Sequence, residues 1–166
     1  LACSSFTVCS TPEKQMLHKY KEIGYDNIIV GNWHANRRCY SPKEFTEREY
    51  GASFIGAPNP MRIEFFEKIM FPVKFVHAVS QAQLFQSHSN TKIGINLSRN
   101  YNDKNKRTQM KQRLFEIPAG GGLLMTEYHH GIEEFFEIND EMVIFHTPEE
   151  LNEQVMFLAK NPKIAE

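Results

Sequence analysis

The sequence predicts an α/β protein, a parallel sheet covered by helices on both faces. Short apolar, strand-like runs alternate with helical patterns about six times along the chain. The connections are short, and no hairpin signal joins any two runs. The 166 residues, 41% hydrophobic and 12% aromatic, can bury a core without disulfides, and residues 1–166 read as a single domain.

Phe6-Thr7-Val8-Cys9 reads as the first buried strand, with Thr11 as cap and Pro12 as first residue of a helix that Gly24 ends. Met16, Tyr20 and Ile23 keep one face of that helix apolar. Asn27 to Val30 is the next strand, and Gly31 to Pro42 a polar loop. A third strand, Ala52 to Ile55, breaks at Gly56-Ala57-Pro58-Asn59-Pro60. There Asn59 caps and Pro60 opens a helix through Met70. Val73 to Val79 is a strand, Ser80 to His88 a helix, and Ile93 to Leu97 a strand, with a polar loop over Ser98 to Arg107. Met110, Leu114 and Ile117 share a helical face that runs into Pro118-Ala119-Gly120-Gly121-Gly122. Leu123 to Thr126 is a strand, Gly131 to Glu137 a short helix, and Met142 to Phe145 a strand. Thr147-Pro148-Glu149-Glu150 is a capping box opening the last helix, with Leu151, Val155, Leu158 and Ala159 on one side.

The totals narrow the function. A net charge of −1 gives no global field for nucleic acid, so no nucleic-acid partner is expected. Cys3, Cys9 and Cys39 are an odd set without metal spacing. They read as small buried or half-buried residues in a reducing cytosol, which makes the expected location cytoplasmic. No apolar run approaches the ~20 residues of a membrane span. The chain starts at Leu1, without a leader or an initiator Met, and is expected to be a partial chain.

Parallel sheets bind ligands beyond the carboxyl ends of their strands, which marks the loops 56–60, 98–107, 118–122 and 127–131. At the first, Gly56 lets backbone approach a ligand, and Arg62 one turn into the helix can hold a phosphate; an ordinary turn with a surface arginine explains the same residues. At the third, three glycines follow Glu116, a carboxylate able to accept both hydroxyls of a ribose; a flexible turn after a helix-terminal Glu is the alternative. Gly131 and its neighbours can present N–H groups to an anion. His129 and His130 are adjacent and point apart, so no metal site is expected. The basic loop 99–107 is a solvated face or a patch in which Arg99 meets a ligand phosphate. The chain has no D-x-D, no Walker loop, no nucleophile elbow and no G-x-G-x-x-G after its first strand.

The runs Lys92-Ile93-Gly94-Ile95-Asn96-Leu97-Ser98, Arg113-Leu114-Phe115-Glu116-Ile117-Pro118-Ala119-Gly120-Gly121 and Leu123 to Tyr128 resemble, in order, those of a known family. Gly131-Ile132-Glu133-Glu134-Phe135-Phe136 and Thr147 to Leu151 continue the likeness. The family is the glycosyltransferases-group-1-like domain of the spore-maturation (spore-coat) type. Gly56 to Arg62 is similar to its F-x-G-x-x-x-x-R segment, and Asn32 to Pro42 to its linker. The resemblance implies the C-terminal, donor-binding lobe of a GT-B fold, Rossmann-like, with an N-terminal Rossmann-like lobe elsewhere in the full-length chain. It implies transfer of a sugar from a nucleotide-diphosphate donor to an unknown acceptor.

By position in that likeness, Glu116 holds the donor ribose and Arg62 meets the diphosphate, and these two are the expected catalytic residues. Gly56, Arg99, Arg113, Gly120, Gly121, and His130, Gly131 and Ile132 through their backbone amides, complete the expected donor-binding set. Two departures stand out. Thr108 occupies the place, eight before Glu116, where retaining relatives carry another glutamate, and a G-x-G-W-like element is missing. Without a D-x-D pair, helix N-termini and basic side chains are expected to stabilise the leaving diphosphate, with no cofactor and no metal. The alternative is a GT-B-derived module that binds a nucleotide or partner without catalysis.

Overall fold

The computed structural model describes residues 5–77, 80–100 and 107–166. The chain divides into two compact units, Leu1–His34 and Ala35–Glu166. Tyr101 to Lys106 of the basic loop, Cys3, and Ala78 and Val79 of the expected fourth strand lie outside the described residues.

The first unit is one β-α-β turn. Strand β1 (Cys9–Thr11) and strand β2 (Ile28–Val30) pair in parallel through helix α1 (Leu17–Glu22), with Cys9 opposite Ile28. The expected strand at 6–9 is therefore displaced, and Thr11 ends β1 instead of capping a helix. Its hydroxyl accepts the Glu13 N–H at 3.1 Å, which turns the chain through a 3₁₀ segment, Lys14–Met16, before α1 begins. Among the described residues of this unit only Thr11 is buried, while Phe6, Val8, Ile29 and Trp33 lie exposed. Cys9 is half-buried, but Cys39 in the second unit is exposed, contrary to the expectation for it.

The second unit carries the predicted parallel sheet, five strands in the order β4-β3-β5-β6-β7. These are β3 (Tyr50–Ile55), β4 (Val73–Val76), β5 (Thr91–Asn96), β6 (Leu123–Glu127) and β7 (Met142–Phe145). Ala52 lies opposite both Val73 and Ile93, Ile93 opposite Leu123, and Leu124 opposite Met142. Helix α2 (Pro60–Glu67) follows β3, α3 (Gln81–Ser89) follows β4, α4 (Arg113–Ala119) follows β5, and α5 (Pro148–Lys160) and α6 (Pro162–Ala165) follow β7.

The caps explain the helix starts. The Asn59 side chain accepts the Arg62 N–H at 2.9 Å, Ser80 that of Gln83 at 3.3 Å, and Thr147 that of Glu150 at 3.1 Å. Helix α2 stops at Glu67, short of Met70, and the expected helix over 131–137 shrinks to a 3₁₀ turn, Ile132–Glu134. The stretch read as loop holds a further 3₁₀ turn, Arg37–Cys39, and another, Phe45–Glu47, precedes β3.

Strand periodicity sorts the core into two layers. Phe54, Ile93, Ile95, Leu97, Met125 and Phe145 pack with Phe65 of α2 and with Leu151, Val155 and Leu158 of α5. On the other face Leu114 and Ile117 of α4 pack with Met110, Leu124, Ile132 and Met142. So α2 and α4 cover opposite faces.

Candidate functional site

From β3 the chain steps outward to β4, then crosses back to β5 on the other side of β3. Between the carboxyl ends of β3 and β5 the helices that follow, α2 and α4, depart to opposite faces and leave a crevice, the usual ligand position of such sheets. Each helix sends an arginine there. Arg113, at the start of α4, donates from Nη1 to the Ile55 carbonyl at 2.9 Å, and its guanidinium lies 4.4 Å from the centre of the Phe54 ring. Arg62 of α2 donates to the Ala57 carbonyl at 2.6 Å and lies 5.2 Å from that ring. Gly56 makes the approach possible, because a Cβ there would meet Arg113 Nη1 at 2.7 Å.

Burial, and then the charge of Arg62, push the Arg113 guanidinium down to about 10, with Glu116 pulling weakly the other way. Among the described residues no carboxylate lies within ion-pairing distance of Arg113. Two guanidiniums on one buried ring make a place for an anion.

At the ends of β5 and β6 a buried polar net holds the next loop. Asn96 Nδ2 donates to Thr126 Oγ1 at 2.9 Å and to Ser98 Oγ at 3.1 Å, and Ser98 donates to the Glu127 carbonyl at 3.0 Å. Arg99 is clamped within it. Its N–H donates to Glu127 Oε2 at 2.9 Å, its Nε lies 3.3 Å from Glu127 Oε1, and its Nη2 donates to the His146 carbonyl at 3.4 Å. Thr108 pairs antiparallel with Arg99. Arg99 thus ties three strand ends together and does not reach the Phe54 ring.

The turn after β6 keeps His129 and Ile132 buried, while His130 is exposed and Gly131 takes a φ of 89°. The Ile132 N–H donates to the His129 carbonyl at 3.2 Å. The Glu133 carboxyl is held below its ordinary range by its own amide, then by the Tyr128 hydroxyl and the Gly131 N–H. Of the amides expected to meet a ligand, those of Gly131 and Ile132 are therefore engaged within the turn itself.

Glu116 sits in the first turn of α4, three residues on from Arg113, and turns inward. It is 5% exposed, with Oε2 3.6 Å from Nε2 of His88, a residue 1% exposed in the last turn of α3. Tyr40 closes the cluster, its ring 6.3 Å from that of His88 and 4.9 Å from that of Phe85. Burial, and secondarily Glu116, raise the Tyr40 phenol well above its ordinary range. His88 and Tyr40 were not among the expected site residues, and no spacing in the sequence links them to Glu116.

Gly120 and Gly121 are placed differently from the expectation. The turn 118–122 leads into β6, so it lies at the amino edge of the sheet, opposite the arginine pair. A Cβ on Gly120 would stand 2.7 Å from the His88 carbonyl carbon, and the Gly121 carbonyl accepts from Arg48. These glycines serve close packing and a turn. The sequence showed a glycine run but not the strand end it adjoins.

Among the described residues no helix is long and apolar enough to cross a membrane. None of their His, Cys, Asp and Glu side chains come together in a group of three or more able to hold a metal ion. No curated protein matches the sequence. Over residues 13–166 the chain matches the family described as glycosyl transferase-like. The chain belongs to the glycosyl transferase-like family.

Proposed function

We propose that the chain is the donor-binding lobe of a glycosyltransferase of the spore-maturation type, and that the donor is a nucleoside-diphosphate sugar. The observation that carries this is the meeting of Arg62 and Arg113, from opposite helix layers, on the Phe54 ring at the carboxyl end of β3. In glycosyl transfer the bond from the anomeric carbon to the diphosphate breaks, and the electron pair stays on the β-phosphate oxygen. Fixed cations at that oxygen stabilise the transition state more than the ground state, which is what catalysis requires. Arg62 and Arg113 take that role, Glu116 receives the ribose hydroxyls, and no metal is assigned. The acceptor and the general base come from an N-terminal Rossmann-like lobe. The parallel β-α-β of the first unit, with Thr11 alone buried among its described residues, supports such a continuation.

The test is calorimetry with UDP, GDP, ADP and CDP. Binding in the micromolar to millimolar range, lost on Arg62→Ala, is expected. No heat from any of them at millimolar concentration, with the circular dichroism of a folded chain, sinks the reading. Thr108 in place of a second glutamate favours the module without catalysis. In that case nucleotide binds, but the chain joined to its N-terminal lobe neither transfers nor hydrolyses sugar.

A further inference from the structure

Helix α5 buries Leu151, Val155 and Leu158 in the core, and its outer face carries a stripe that the proposed donor site does not use. Glu149, Glu153, Met156, Phe157 and Lys160 recur there at helical spacing, and all five are exposed. Among the described residues none of the three charged ones makes an ion pair. The apolar part of the stripe widens on both sides. On one, the Asn152 side chain accepts the N–H groups of Met70 and Phe71 at 2.9 and 3.0 Å and donates to Met156 Sδ at 3.4 Å. That staple holds Met70, 81% exposed, beside α5. On the other, Phe157 and Ile164, 55% and 62% exposed, border an apolar groove of about 380 Å³ that Val143 and Leu158 also line. An apolar patch fixed in this way on the surface marks a contact with another protein.

The charges say which protein. Along the axis, Glu153 and Lys160 each lie about 5 Å from the midpoint between Met156 and Phe157, on opposite sides of it. A copy of α5 laid antiparallel about that midpoint sets Glu153 against Lys160 twice, whereas a parallel copy in register sets like charges side by side. The helix dipole favours an acid in the first turn and a base in the last. It gives no reason for Glu153 in the second turn, or for two exposed apolar side chains between acid and base.

We propose that the outer face of α5 is the contact of a two-fold symmetric dimer, and that its occupant is a second copy of this chain. The same patch serves both copies, as a two-fold axis requires. The two Phe157 rings meet at the axis on the side of the grooves, the two Met156 side chains meet on the other, and a Glu153–Lys160 pair closes each end.

Sedimentation equilibrium of the 166-residue chain, up to about 500 µM for so small a contact, tests this. The parent chain should form a dimer, and Phe157→Asp should abolish it. Glu153→Lys and Lys160→Glu should each weaken the dimer about tenfold or more, because both end pairs become repulsive. An equimolar mixture of these two variants should restore it, since each end then joins a Lys to a Glu. The change lies between chains, so an effect of either substitution within its own helix leaves the mixture unrestored. Sticking through the exposed side chains of the first unit is common to all variants and leaves no such pattern. All three positions are exposed, and circular dichroism checks that each variant keeps the parent fold. A parent chain that stays monomeric overturns the proposal and gives the stripe to a different partner. So does a Phe157→Asp dimer as tight as the parent's, or a mixture no tighter than the single variants.

Discussion

Arg113 stands in tension with stability. Burial and the nearby Arg62 lower its proton affinity to about 10, so the folded chain binds this proton less tightly than the unfolded chain does. The resulting penalty is full below that pH and is relieved as pH rises through it toward the ordinary arginine value. At neutral pH a bound anion would give the same relief. Arg113→Met should therefore leave the melting temperature unchanged or raise it, staying within about 1 kcal/mol of the parent or above it. It should weaken nucleoside diphosphate binding at least about tenfold. Calorimetry paired with thermal melts checks both halves, and a loss of binding only in step with unfolding would refute the assignment. The arginine was legible as one letter of the R-x-F-E run. Its contact with Phe54, 59 positions away in sequence, was not, because neither propensity nor periodicity carries long-range contacts.

Among the elements, the junctions with local causes were the ones that could be read. Asn59-Pro60 and Thr147-Pro148 start helices because cap and first turn lie within four residues of each other. Thr11-Pro12 carries the same letters and starts none, since Thr11 is drawn into pairing with Val30 and its hydroxyl serves Glu13. Strand order could not be read at all: the crossing from β4 to β5, which creates the crevice, is a choice among non-local pairings. The glycine run shows the same limit, because its place at the amino edge depends on which strand it precedes in space. Gly120→Ala should force α4 away from α3 at His88 and cost about 1–3 kcal/mol of unfolding free energy, read by urea denaturation. A change below about 0.5 kcal/mol would show that the two helices can part without penalty.

Over the whole molecule, burial is concentrated in the second unit, where two apolar layers sandwich the sheet. Trp33, the sole tryptophan, lies in the first unit. Its fluorescence should change at lower urea than the circular dichroism of the whole chain, because few buried contacts hold its surroundings. Coincident transitions would mean that the two units unfold as one.

That thinly covered first unit also shapes how copies of the chain treat one another. Phe6, Val8, Ile29 and Trp33 offer water an oily surface, and a net charge of −1 supplies almost no repulsion between molecules. Crowded together, the chains gain by hiding these side chains in one another, so the mass seen by light scattering should climb with concentration and drop when a mild detergent is added.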